Sequence, residues 1–213
     1  MYIPSHFAAD DAVVQHLLTN HGAANLVTAT PDGLLATLLP FVYDRTIGEY
    51  GALLGHVARN NEQWKVPVVG EALVLMAGPD AYISPSAYAT KKEHGRVVPT
   101  WNYVTAHIYG RLVIHDDPAW LENLVRRLTE KHEAQFKERW SVDDAPATFV
   151  AGQLRAIVGV EVVINRIEAK AKLSQNRSQA DVEGVITSLE ARGDSVSAKA
   201  VRAALVGSAN EPG

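Results

Sequence analysis

The sequence predicts a mainly β protein with α additions: a small antiparallel barrel carrying peripheral and C-terminal helices. Three observations point there. Five or six runs of strand character follow one another through short turn signals, as hairpins do. Helices stand beside these hairpins, at the ends and with one crossing, as additions to the sheet. No Rossmann fingerprint, Walker loop or internal repeat offers another architecture.

In chain order, Asp10 and Asp11 precede Val13, Val14, Leu17 and Leu18, and Asn20-His21-Gly22 stop the pattern, which predicts a first helix. Asn25–Thr30 reads as a strand, Pro31-Asp32-Gly33 as a tight turn and Leu34–Tyr43 as its hairpin partner. After a turn at Asp44–Gly48, Tyr50–His56 is a third strand, Asn60–Lys65 a short crossing helix, and Ala72–Ala77 a strand apolar enough to be buried on both faces. Pro79, Pro85, Gly95 and Pro99 make Gly78–Thr100 irregular, and a loop of that length points to function or a partner. Val104–Ile114 returns as a long strand. Asp116-Asp117-Pro118 then open a helix over Ala119–Trp140, with Leu121, Leu124, Leu128 and Phe136 on its apolar face. A short helix at Ala147–Ala156, a last strand at Gly159–Ala169, and two helices at Ser178–Ala191 and Ser195–Val206 complete the chain. The expected organisation is a barrel with inserted helices over 1–170, a polar segment and helix pair over 171–207, and a frayed tail over 208–213.

Composition narrows the function classes. The 213 residues are 47% hydrophobic, enough for a sizeable core. Twenty Lys and Arg against 24 Asp and Glu give a net charge of -4, so no global basic field draws the protein to nucleic acid or anionic lipid. Cysteine is absent, which excludes disulfides, iron–sulfur clusters and thiol catalysis. The first seven residues lack the basic and apolar regions of a signal peptide, and no apolar run approaches the ~20 residues that span a bilayer. The expectation is a soluble, cytoplasmic protein with no membrane partner.

The stretch with the most chemistry is Leu53-Leu54-Gly55-His56-Val57-Ala58-Arg59-Asn60-Asn61. Gly55 lacks a Cβ and permits close approach of a ligand. Arg59, near the start of the crossing helix, is placed to grip a phosphate in bidentate fashion. Taken alone, the motif reads more simply as a solvated arginine and a half-buried histidine.

Further blocks change that balance. Met1-Tyr2-x-Pro4-x-His6-Phe7, Ala36-Thr37-Leu38-Leu39-Pro40-Phe41, Gly55-His56-Val57-Ala58-Arg59, Gly78-Pro79-x-Ala81-Tyr82-Ile83-Ser84-Pro85, Val98-Pro99-Thr100-Trp101-Asn102-Tyr103 and Lys172-Leu173-Ser174-Gln175-Asn176 follow in order over nearly the whole chain. Together they closely resemble the PaiB family of FMN-binding negative transcriptional regulators. The resemblance implies an FMN-binding split β-barrel, similar in fold to pyridoxine phosphate oxidase, assembled as a homodimer with flavin pockets at the subunit interface. It places Thr37 and Leu38 on one flavin-binding strand and Gly55, His56, Ala58 and Arg59 at a strand-to-helix junction, with Arg59 on the phosphate. Trp101 and Asn102 would meet the flavin ring or a second ligand, and Lys172, Ser174, Gln175 and Asn176 would close the pocket. Two alternatives stay open: Trp101 as an interface anchor, and the Lys172–Asn176 segment as a capping turn before the Ser178 helix. Asn60 and Glu62 stand where the family usually has Ala and Pro, and Ala87 where it has Trp; Glu62 adds negative charge near the expected phosphate site.

Regulation by an FMN-binding homodimer is the leading reading of function, ahead of catalysis. The alternatives are a flavin-dependent oxidoreductase acting on a small substrate, with His56, His107, Tyr82 and Trp101 as substrate-side groups, and a haem-binding split-barrel protein using one of the eight histidines. No triad, carboxylate dyad or metal-ligand spacing appears, so no catalytic or metal-binding residue is assigned and a metal hydrolase ranks last. DNA is a possible partner, with direct contact unproven. The candidate helix–turn–helix, Asp181–Leu205, sets Arg192, Lys199 and Arg202 against Asp181, Glu183, Glu190 and Asp194. Lys91, Lys92 and Arg96 form the better local basic patch.

Overall fold

Glycine and proline positions decide where this chain turns its strands. The computed structural model describes residues 1–208 and holds seven strands, hydrogen-bonded in the order β2-β1-β5-β6-β7-β4-β3. They are β1 (Ala23–Thr30), β2 (Gly33–Pro40), β3 (Val42–Asp44), β4 (Ala52–Ala58), β5 (Ala72–Ile83), β6 (Thr100–His115) and β7 (Ile157–Lys172). The helices are α1 (Asp11–Asn20), α2 (Lys91–His94), α3 (Pro118–Glu133), α4 (Ala147–Leu154), α5 (Gln179–Ala191) and α6 (Ser195–Ser208). The tail expected to fray lies, from residue 209 on, outside the described residues. The chain forms two compact units, and β5, β6 and β7 run through both. One unit holds Gln15–Met76 and His107–Glu168; the other holds Met1–Val14, Ala77–Ala106 and the chain from Ala169.

The unit containing Gln15–Met76 is a barrel. Leu26, Thr28, Leu53, Val57, Val74, Met76, Ile108, Val158, Val160 and Val162 are buried along its strands, and the registers Leu26↔Val74, Leu53↔Val162 and Val57↔Val158 put paired residues on the same face. The barrel closes where β2, at one end of the sheet, lies against β4, next to the other end. Gly55 makes that approach possible: a Cβ there would stand 2.8 Å from Leu39 Cδ1 and 2.9 Å from the Pro40 carbonyl oxygen. Gly110 has the same role on β6, where a Cβ would lie 2.2 Å from the Val163 carbonyl oxygen.

The opposite face of β4 carries Ala52, Leu54 and His56, and α3 covers it. Leu124 and Leu128 of that helix pack with Val42, Ala52 and Leu54, and Trp120 packs against the same cluster. The Trp120 ring occupies the space above Gly159, where a Cβ would be 2.2 Å from Cζ3. His115 stacks on Trp120 at 4.0 Å and shares a 2.7 Å hydrogen bond with the buried Glu161 carboxylate. Asp117 caps α3 by accepting from Trp120 N.

Four expectations need correction. Leu34–Tyr43 is two strands, because Pro40 ends the β1 ladder without an N–H and Val42 begins pairing with β4. At the break, Lys131 Nζ takes the Phe41 carbonyl at 2.8 Å. The strand begun at Ala72 continues through Gly78 and Pro79 to Ile83, since Gly78 lets β6 approach so closely that a Cβ would be 2.9 Å from Val104 Cβ. α3 stops at Glu133, whose carboxylate accepts from Trp140 N as the chain folds back, leaving Phe136 exposed. The crossing helix is one 3-10 turn, Glu62–Trp64, capped by Asn61.

In the other unit, α5 and α6 pack as a pair, and α5 is fixed by the buried Asp181 carboxylate, which accepts from Thr90 N and Oγ1. A Cβ on Gly184 would lie 2.1 Å from the Ala87 carbonyl oxygen. Ala87 is therefore in the segment against which α5 rests.

Gly55→Ala should destabilise the protein by about 1–3 kcal/mol through overpacking at the barrel closure. Urea denaturation checks this; wild-type stability in the variant would mean that Leu39 and Pro40 can withdraw freely.

Candidate functional site

The residues singled out in the sequence divide between the two units. In the barrel unit they lie on β2, β4 and the turn after it. Strand alternation separates Gly55 and His56: Gly55 pairs with Val160 on the interior side, while His56 pairs with Gly159 on the face under α3. Thr37 and Leu38 part in the same way. Thr37 Oγ1 accepts a 2.9 Å hydrogen bond from Asn61 Nδ2, while Leu38 stands outward with Leu34, 63% and 75% exposed respectively. Ala58 ends β4 and is exposed. The space over Gly55 belongs to Leu39 and Pro40, so the close approach foreseen there is made by the barrel's own strand.

Arg59 is the best-defined group of this set. Its backbone N–H donates to the Ala156 carbonyl at 2.8 Å, its Nε to the Arg155 carbonyl at 2.7 Å and its Nη2 to the Ile157 carbonyl at 3.0 Å. Those bonds tie the end of β4 to the start of β7. The outward fork of the guanidinium closes on Asp116, with Nη1 2.9 Å from Oδ2 and Nη2 bonded to Oδ1. The hydrogen bonds and charge of Arg59 hold the Asp116 carboxyl below its usual range, and those of Asp116 push the arginine pKa up. With a single 3-10 turn after it, Arg59 has no α-helix dipole beside it. Its hold on the Asp116 carboxylate comes from its own fork.

The sequence reading assigned no role to two polar residues in this unit. Asn61 caps the 3-10 turn through a 2.8 Å bond from Gln63 N while also reaching Thr37. Gln63, 3% exposed, donates to the Leu26 carbonyl and Thr28 Oγ1, both at 3.0 Å, and its Oε1 has no partner among the described residues. A cleft of about 430 Å3 opens beside it, lined by residues including Trp64, Lys65 and Arg111. Asn61 was legible as a cap; the partners of Gln63 and Asp116 are set by strand packing over dozens of residues.

In the other unit the structure does bring the named residues together. Asn102 and Ser174, both buried, exchange hydrogen bonds at 3.0 and 3.1 Å. Lys172 Nζ donates to the Trp101 carbonyl at 2.8 Å and to Thr100 Oγ1, and burial lowers its pKa. Gln175 closes the strand end, accepting from Leu173 N and donating to the Ala171 carbonyl, each at 2.6 Å. Ser174 has φ of 69°, the left-handed conformation that turns the chain from β7 towards α5. Asn176 is exposed, and Ser178 caps α5. Trp101 keeps a free ring, 54% exposed, with Tyr82 edge-on at 6.0 Å.

Residues 1–166 match the model of the family described as "Putative FMN-binding domain". The chain belongs to this PaiB-type FMN-binding family. It is similar to protease synthase and sporulation protein PAI 2 of Bacillus subtilis, 32% identical over 192 residues that cover 89% of each chain. It is also similar to an uncharacterised protein of Emericella nidulans, 31% identical over 227 residues, with 89% of this chain and 90% of that one covered. Among solved structures, a conserved hypothetical protein of Mycobacterium tuberculosis has a TM-score of 0.56 over 84% of this chain and 95% of its own, at 11% identity. At that identity the likeness shows the fold, which for this PaiB-type chain is the split β-barrel. No helix of the described residues is long and apolar enough to cross a membrane, and they contain no cluster of His, Asp or Glu able to hold a metal ion.

Burial lowers the pKa of His56 below its ordinary 6.5. The unfolded chain therefore binds more protons than the folded one between the two values, so this histidine's contribution to stability is complete above 6.5 and is lost as pH falls through that window. His56→Gln should flatten the stability profile just below pH 6.5, leaving the similar contribution of His21, which is also lowered by burial. Urea denaturation at a series of pH values reads the slope, and an unchanged slope would show that His56 is not the group responsible.

Proposed function

We propose that this protein binds FMN as a homodimer and acts as a negative regulator of transcription of the PaiB type, with Arg59 on the flavin phosphate. The observation that carries the reading is the Arg59 fork. Backbone carbonyls orient the guanidinium from one side, and the remaining N–H pair grips a carboxylate, an anion whose two oxygens stand in for those of a phosphate. Thr37 and Asn61, in the same unit, are bonded to each other.

In the other unit, Ser174, Asn102 and Gln175 are satisfied by one another and by the backbone, and the ring of Trp101 is exposed. Bound FMN supplies hydride or electron chemistry. The chain's own residues bind and orient it. The homodimer is supported by the outward face of β2, where Leu34, Ala36 and Leu38 alternate as an exposed apolar row.

Regulation through α5 and α6 as a DNA-reading pair has less support. Arg202 is paired with Glu190 at 2.8 Å and Arg192 lies 3.7 Å from Asp194, so little unpaired positive charge faces outward from that pair. In this reading, flavin occupancy is the signal and the dimer is the unit that acts on gene expression.

Titration with FMN and riboflavin, followed by flavin fluorescence, tests the site. Arg59→Ala should weaken FMN by roughly ten- to a hundredfold, the usual worth of a hydrogen bond to a charged group, and leave riboflavin unaffected; unchanged FMN affinity would remove Arg59 from the phosphate. Sedimentation should give a dimer, and a monomer at micromolar concentration would overturn the assembly. Bound flavin that a nicotinamide donor reduces with turnover would replace regulation by oxidoreduction.

A further inference from the structure

We infer that Asp116 is a built-in competitor for the phosphate of the flavin: its carboxylate occupies the Arg59 fork, and the ligand must displace it to bind. The inference rests on the reading of Arg59 as the phosphate-binding residue, and names what sets the affinity there.

The geometry separates two jobs within one side chain. Nε and one N–H of Nη2 hold the carbonyls of Arg155 and Ile157, which flank the start of β7. These bonds fix the plane of the guanidinium and do not involve Asp116. The Nη1 and second Nη2 N–H groups face the carboxylate of Asp116, which follows the last residue of β6 and precedes the cap of α3. Removing the carboxylate leaves the fork aimed and open. Both partners are solvent-accessible, with side-chain exposures of 36% and 52%, so exchanging one anion for another at the fork requires no core rearrangement.

Arg59 thus clasps the ends of three neighbouring strands, β4, β7 and β6, and only the last link is made through a charge that a ligand can replace. A neutral flavin without phosphate has no means of opening it. The arrangement selects for the phosphorylated form and couples its arrival to release of the segment that leads into α3.

The experiment compares wild type, Asp116→Asn and Arg59→Ala by fluorescence titration with FMN and with riboflavin. Asp116→Asn should bind FMN about two- to fivefold more tightly, the scale of an exposed ion pair, with riboflavin unchanged. Asp116→Ala should do the same. In carbon-13 NMR of the wild type, the Asp116 carboxyl, held low by Arg59 in the free protein, should titrate closer to its ordinary range once FMN is saturating. Unchanged or weaker FMN binding in Asp116→Asn, or equal tightening of FMN and riboflavin, overturns the inference. If this happens while Arg59→Ala still loses FMN selectively, Arg59 keeps its assigned role and only the competition fails. If Arg59→Ala binds FMN normally, both fail together.

Discussion

The closure of the barrel at Gly55 is the constraint on which the rest of the barrel unit depends. β2 and β4 lie at opposite ends of the run β2-β1-β5-β6-β7-β4, and they meet only because residue 55 has no side chain to keep Leu39 and Pro40 away. Once they meet, Leu53 and Val57 face the interior, and Ala52, Leu54 and His56 face outward for α3 to cover. The closure also sets where β4 ends. Arg59 follows directly, at the level where β7 begins and β6 has just finished.

Polar groups then stabilise the junctions that apolar packing leaves open. Lys131 takes the Phe41 and His21 carbonyls, Gln63 takes the Leu26 carbonyl, and Arg59 takes those of Arg155 and Ile157. Each is a cationic or amide donor bonded to main-chain acceptors far away in the sequence. Arg59 differs in having two further N–H groups, which hold the carboxylate of Asp116 and make the side chain a clasp on both sides.

Much of the fold was legible in the residues. The first helix, the hairpin at Gly33 and the third strand, read as Tyr50–His56 and found at Ala52–Ala58, follow from periodicity and turn chemistry. The strand through Gly78 and Pro79 was not legible, because those residues usually interrupt pairing and here permit close packing on Val104. The end of α3 was misplaced because Phe136 continues the apolar spacing although nothing in the local sequence shows that its side is uncovered. Within the candidate site, the division of Gly55 from His56 and of Thr37 from Leu38 follows from the two-residue period of a strand. Contiguity in a motif had suggested one surface where alternation makes two.

The sequence by itself determined the family, the mainly β character with terminal helices, and the residue types available to hold an anion or a ring. Those depend on local pattern and on the order of motifs along the chain. Tertiary structure alone decided what each polar side chain does: that Arg59 grips Asp116, 57 residues away, and that Asn102 and Ser174, 72 residues apart, satisfy each other. A hydrogen bond needs two groups within about 3 Å and in line. Which distant groups meet that condition is fixed by how the strands pair, and no spacing within either motif encodes it.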